Sequence, residues 1–230
     1  MEILRVENLV RSYGTGAHKI LALDDVSFTV QFGEFISVVG SSGSGKSTLI
    51  HILGGVERPT SGKVFMNGQD VFAQKRSRLA IFRRSEVGII YQFNNLVPQL
   101  TVRENIMLPA LLDGKNVDED YYREIIKTLD LAERENDLPP MLSGGQAARV
   151  AIGRTLINNP SVILADEPTG NLDMRNTQEI INLLKHINKR YERTILLITH
   201  DQDIALQTDR ILTIEKGRLI GDEPVIGGRT

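Results

Sequence analysis

The run Gly40-Ser41-Ser42-Gly43-Ser44-Gly45-Lys46-Ser47 fits the pattern G-x-x-x-x-G-K-[ST] and lies between an apolar strand and a helix. Glycines at these positions let the chain bend so that successive N–H groups face one point, and the following helix adds its positive dipole end. Such a concavity holds phosphate. Lys46 is expected to supply charge to β- and γ-phosphates, Ser47 a hydroxyl to Mg²⁺, and Thr48 support on the α-phosphate side.

Two acids and two polar residues fall at strand ends elsewhere. Val162-Ile163-Leu164-Ala165-Asp166-Glu167 reads as a buried strand delivering two carboxylates at its C-terminal end, where open α/β sheets place ligands. Adjacent residues there project differently, so Asp166 is assigned to the Mg²⁺ shell and Glu167 to polarising an attacking water. Thr194 to Thr199 is a second such strand, ending in His200, whose imidazole is expected beside Glu167, hydrogen-bonding the γ-phosphate and orienting the water. His18, His51 and His186 lack that placement. Gln92 ends a third strand, Val87 to Tyr91, and is expected to sense Mg²⁺ or water while signalling outward.

Met141-Leu142-Ser143-Gly144-Gly145-Gln146 follows the break at Pro139-Pro140 and opens a helical stretch reaching about Ile157. It is a second candidate anion site at a helix N-terminus. One chain therefore offers two phosphate-binding surfaces.

The elements that must position these residues alternate. Ile3 to Val6, Leu21 to Val30 and Phe35 to Val39 read as strands, with a helix from about Lys46 and a last strand at Ile211 to Glu215. Between Asn176 and Tyr191, Ile180, Ile181, Leu183, Leu184 and Ile187 share one helical face, with Lys185, Asn188 and Lys189 pointing away. The strand signal disappears from about Asn94 to Asn158. Three helical pieces are expected there, beginning at the capping pattern Thr101-Val102-Arg103-Glu104 and including one with Tyr121, Ile125, Ile126 and Leu129 inward.

The 230 residues suit one or two modest domains, and 27 basic against 29 acidic residues leave a net charge of −2, with no global field toward nucleic acid or an anionic membrane. There is no cysteine, which excludes disulfides and thiolate metal sites. No run of about 18 apolar residues is present, so the chain is not expected to span a membrane. Met1 to Arg5 lack the basic start of a secretion signal, so none is expected, and no sizeable regulatory domain is expected after His200. No tandem repeat or low-complexity segment occurs.

Taken together, the chain resembles the ABC ATPases over nearly its whole length. The resemblance is carried by a Walker A loop at Gly40 to Thr48, a Q-loop at Gln92, the LSGGQ signature at Leu142 to Gln146, the acids Asp166-Glu167, then Asn171-Leu172-Asp173 and His200. It implies an α/β P-loop NTPase fold with a mainly parallel sheet, an N-terminal antiparallel β subdomain and a helical insertion. Residues 1–93 and 159–230 would form the ATP-binding core and about 94–158 the signature subdomain.

It also implies ATP and Mg²⁺ as ligands, with Ser47, Gln92 and Asp166 around the metal, and a head-to-tail pair, expected to be a homodimer. In that pair Ser143, Gly144, Gly145 and Gln146 of one chain cap ATP held by the other. By the same family pattern Tyr13 stacks on adenine and Asp173 meets the opposite subunit. The other implied partner is an integral membrane permease, which places the chain peripherally on the cytoplasmic face of the cell membrane, without nucleic acid. The stretches 91–105 and 164–173 are similar to the lipoprotein-releasing, macrolide-efflux and antimicrobial-peptide-resistance branch, which implies export or extraction of a peptide, lipoprotein or drug. A non-transport ABC ATPase that activates or assembles another protein complex is the alternative. Ala147-Ala148 depart from the polar pair usual after the signature; they favour helix and spare the phosphate-contacting residues.

Overall fold

Three short runs, Phe35–Val39, Val162–Asp166 and Thr194–Ile198, are buried almost throughout, as strands covered on both faces must be. In the computed structural model, which describes residues 1–225, they are the centre of a six-stranded sheet. In chain order the strands are β1 Glu2–Tyr13, β2 Ile20–Gln31, β3 Phe35–Val39, β4 Ser61–Met66, β5 Gln69–Asp70, β6 Val87–Tyr91, β7 Val162–Asp166, β8 Thr194–Ile198, β9 Arg210–Glu215 and β10 Arg218–Pro224. The helices are α1 Lys46–Leu53, α2 Arg76–Ser85, α3 Val102–Leu112, α4 Glu119–Thr128, α5 Gly144–Leu156, α6 Met174–Tyr191 and α7 Gln202–Ala205.

The large sheet runs β10-β9-β3-β8-β7-β6, parallel except for β10, and a smaller antiparallel sheet runs β2-β1-β4-β5. Period-two alternation divides the core. Ile36, Val38, Leu164, Leu196 and Ile198 join α1 and the small sheet in one apolar cluster, whereas Phe35, Ile163, Ala165, Ile195 and Leu197 join α3 to α6 in another. The α/β architecture with an antiparallel sheet and inserted helices is the one expected.

Several elements differ from the sequence reading. β1 continues past Val6 to Tyr13, because a register shift between Val6 and Leu9, with Asn8 at φ 46°, interrupts the apolar alternation without ending the pairing. β4, β5, α2 and β10 were not foreseen. α2 buries only Leu79 and Phe82 among its basic residues, and β10 is an edge strand with no buried residue. In α4 the fully buried Tyr122 joins Ile125, Ile126 and Leu129, and Tyr121, half-buried, packs against the same cluster and donates to the Leu156 carbonyl at 3.1 Å. On α6, Asn188 turns inward and donates to the carbonyls of Gly33 and Arg193 at 2.9 and 2.7 Å. Lys185 is half-buried and donates to Gln207 at 3.1 Å.

The Thr101–Glu104 cap forms as a reciprocal pair, with N–H···O distances of 3.2 and 2.8 Å. One residue later Asn105 is wholly buried. Its amide donates to the carbonyls of Val97, Leu100 and Thr101 and accepts from the Val97 N–H at 2.8 Å, so one side chain shapes the whole 97–101 loop. Asn105→Ala leaves these backbone groups unpaired, and a loss of about 2–4 kcal/mol in unfolding free energy is expected by denaturant titration.

Candidate functional site

Gly40, Gly43 and Gly45 all have positive φ, at 152°, 77° and 107°. At two of them a side chain is impossible for a second reason. A Cβ on Gly40 would lie 2.1 Å from the Ile214 carbonyl oxygen, and one on Gly45 2.2 Å from that of Ala22. The loop is thus wedged between β9 and β2, and Gly217 N–H donating to the Ser44 carbonyl at 2.9 Å closes it from below. Only glycine satisfies both the dihedral and the space.

The concavity of about 200 Å³ that results is lined by Ala22, Ser42, Gly43, Gly45, Lys46, Ser47, Thr48 and Glu167. α1 starts at Lys46 with Gly45 as its N-cap and no side-chain cap, unlike α3, α4, α5 and α6, which are capped by Thr101, Asp118, Ser143 and Asp173. The Lys46 ammonium is buried and donates to the carbonyls of Gly40 and Ser41 at 2.9 and 2.8 Å, which holds it along the loop with one N–H remaining. Ser44 Oγ is buried with no hydrogen-bond partner among the described residues. An orphaned hydroxyl and a cradle that tolerates no Cβ fit phosphate oxygens.

The acids arrive from β7. Ser47 Oγ lies 3.3 Å from Asp166 Oδ1, so the hydroxyl and carboxylate expected to share a metal are already neighbours. Burial pushes the Asp166 carboxyl above its ordinary pKa; the Ser47 hydrogen bond and the charges of His51 and Lys46 pull against this, and Glu167 adds to it. His51 was set aside on sequence, yet α1 brings it within electrostatic range of Asp166. Glu167 has φ 47°, a left-handed conformation costing a non-glycine residue about 1–2 kcal/mol, and is held there by its N–H donating to the Ile198 carbonyl at 3.2 Å. Its Oε1 is 3.5 Å from His200 Nδ1, and its side chain is 26% exposed against 70% for His200. The strand order therefore brings the expected pair together.

Other residues named from the sequence lie elsewhere. Gln92 does not line the phosphate cavity; with Phe93, Asn94, Gly144, Ala148, Pro168, Asn171 and Leu172 it lines a neighbouring cavity of about 150 Å³. Its amide nitrogen would be 2.9 Å from a Cβ on Gly170, a glycine that the sequence reading passed over. Ser143 caps α5 in a reciprocal pair with Gln146, at 3.3 and 2.9 Å. Gly145 packs so closely on Asn176 that a Cβ would meet Asn176 Oδ1 at 2.4 Å, and Asp173 accepts from the N–H and side chain of Asn176, both at 2.8 Å. Those hydrogen bonds hold the Asp173 carboxyl below its ordinary pKa. Tyr13, 38% exposed, donates its hydroxyl to Glu57 at 2.8 Å and carries the Arg11 guanidinium on one ring face.

The phosphate loop, the acid pair and the capped Ser-Gly-Gly turn recur as a set in one family, and the family model described as ABC transporter matches residues 23–170. The chain belongs to that family. The cassette is similar to solved structures over nearly its whole length. A dimeric, post-hydrolysis state of the ATP-binding cassette MJ0796, bound to ADP and Pi, shares 36% identity at a TM-score of 0.88, covering 98% of this chain and 100% of that one. A second dimeric structure of MJ0796, described as a bacterial ABC transporter cassette, shares 35% identity at 0.88, with coverage of 98% and 100%. The protein cbiO1 from Clostridium perfringens, part of the ABC transporter complex cbiONQ, shares 29% identity at 0.87, with coverage of 97% and 89%. The cassette is accordingly an ATPase that binds ATP.

Proposed function

We propose that the cassette is the ATP-hydrolysing subunit of a membrane transporter, pairing head-to-tail with a second copy around two Mg-ATP and driving a separate permease. The observation that carries the pairing is the lining of the phosphate cavity. It includes Lys46, Ser47, Thr48 and Glu167 but none of Ser143 to Gln146, which present a second helix N-terminus beside Asn176 on α6. A head-to-tail pair brings each signature to the other chain's cavity, and the dimers of the similar MJ0796 cassette support this reading.

In each composite site the loop N–H groups and Lys46 would hold the phosphates, Ser47 and Asp166, with Gln92, would hold Mg²⁺, and the partner's signature would cap the γ-phosphate. When bound, Mg²⁺ neutralises charge developing on the transferred phosphoryl group. Glu167 polarises the attacking water and takes its proton on the carboxylate, and His200, 3.5 Å from it, hydrogen-bonds the γ-phosphate and orients the water. Tyr13 offers its open face to adenine, and Asp173 meets the opposite subunit.

Among the described residues no helix is long and apolar enough to cross a membrane. Passage of a substrate therefore calls for a membrane partner. The permease is assigned to a groove of about 370 Å³ between the core and the inserted helices, lined by Val56, Arg83 and Arg84 on one side and Leu108, Pro109 and Leu112 on the other. An apolar segment fits the wall of Leu108, Pro109 and Leu112. The branch resemblance of residues 91–105 and 164–173 supports export or extraction of a peptide, lipoprotein or drug, from the cytoplasmic face of the membrane.

Purifying the cassette from its native membrane with its partners tests the assignment. Co-purification of an integral membrane protein, lost on Leu112→Glu, is the expected result. A wholly soluble complex would overturn the transport reading in favour of an ATPase that assembles or activates another protein.

A further inference from the structure

α5 makes contacts of two kinds at its two ends. Its N-terminus is the signature turn, capped by Ser143. Near its C-terminus the Arg154 guanidinium donates to two successive carbonyls of the loop that follows Gln92, those of Asn94 and Asn95, each at 2.6 Å. Asn95 is in the left-handed region at φ 49°, so this grip fixes a bent backbone. The same end of α5 lies hard against β6. Thr155 Oγ1 is 3.4 Å from the Ile89 carbonyl, and a Cβ on Gly88 would come within 2.2 Å of Thr155 Cγ2. Burial pulls the Arg154 pKa down, and Tyr91 is the group that offsets it, so the cation is partnered by backbone oxygens.

A 13-residue helix is a rod of about 20 Å. What displaces one end displaces the other, and Arg154 is the bond by which the far end holds the Gln92 loop.

We propose that Arg154 is a positioning residue that ties the signature end of α5 to the Gln92 loop, so that ATP capped by one chain's signature sets Gln92 in that chain's own ATP site. The inference rests on the composite-site reading above. In the head-to-tail pair the signature of a chain serves one ATP and its Gln92 serves the other. The Arg154 tie is then a direct mechanical link between the two sites, and each nucleotide senses whether the other is bound. Two carbonyls gripped together require a planar fork; a lysine ammonium is a point donor and does not replace it.

Coupling between two equivalent sites is read in the ATP dependence of hydrolysis, where a Hill coefficient rises toward the number of sites. For the unmodified cassette a value approaching about 2 is expected, and for Arg154→Ala a value near 1 with reduced turnover at saturation. ATP affinity of the single chain should be unchanged, since Arg154 is not among the residues lining the phosphate cavity. Amide exchange supplies a second readout. In ATP-held dimers, prepared in a Glu167→Gln background, exchange at residues 93–97 should slow on ATP addition with Arg154 present and stay at the nucleotide-free rate without it. Arg154→Lys, which keeps charge and length, should also lose cooperativity and serves if the alanine variant is unstable.

A dimerising variant with unaltered Hill coefficient and unaltered exchange overturns the proposal alone. An unmodified cassette that hydrolyses ATP at full rate as a monomer overturns the composite-site reading and the proposal with it.

Discussion

Glu167→Gln is expected to lower ATP turnover by about 100- to 1000-fold while leaving ATP binding intact, because a general base contributes on this order to a reaction that needs a proton removed from water. The substitution is nearly isosteric and removes only the ability to take the proton. The backbone at Glu167 is held in its left-handed conformation by the Ile198 carbonyl, and the side chain sits beside His200 rather than in a core cluster, so the fold should not change. Hydrolysis is also what reopens the pair in the proposed cycle. The variant should therefore accumulate as ATP-bound dimers, visible by size-exclusion chromatography with ATP and absent without it. Phosphate release at the unmodified rate would remove Glu167 from the role of base, and residues around His200 would have to supply it.

Mixing two inactive variants is expected to restore activity. Lys46→Ala removes the charge that holds the β- and γ-phosphates, and Ser143→Arg places bulk and a misplaced cation where the partner's γ-phosphate must be capped. Each variant alone has both composite sites damaged, and turnover should fall by at least about 100-fold. In a mixed pair one site carries both lesions and the other carries none. Random pairing at equal concentrations makes about half of all dimers mixed, each with one intact site, so up to about a quarter of the unmodified activity should return, and less in proportion to the coupling between the two sites. Complementation of this kind has no explanation in a site built from one chain. Failure of the mixture to exceed the separate variants, with mixed dimers demonstrated and with the Arg154→Ala change present in both chains to uncouple the sites, would overturn the head-to-tail assignment.

How much of this was readable in advance differs by kind of residue. β3 and β6 were bounded correctly from sequence because a strand buried on both faces must be continuously apolar, and a turn signal ends each. β1 was cut short since a bulge breaks period-two alternation while hydrogen bonding to β2 and β4 continues. α2 was missed because a basic surface helix with two buried residues has almost no apolar pattern to detect. That Tyr122 is buried beside Tyr121 depends on the starting phase of α4, which the Asp118 cap sets. Gly170, Asn105, His51 and Arg154 carry no local signature either: each matters through an atom reached only after folding, such as the Gln92 amide or the Asn94 and Asn95 carbonyls.

The glycine-rich loop at Gly40 to Thr48 by itself determined that the chain binds phosphate, since backbone bending and a lysine at fixed spacing are local properties of a few residues. With the signature, the acid pair and His200, the sequence likewise determined the family. Tertiary structure alone decided which of these groups meet. Parallel order β8-β7-β6 places Glu167 against His200 and Gln92 at the sheet's edge, and α5 carries the signature away from its own phosphate cavity toward α6. Long-range proximity is set by strand order and helix packing, summed over the whole core, and no window of neighbouring residues contains that sum.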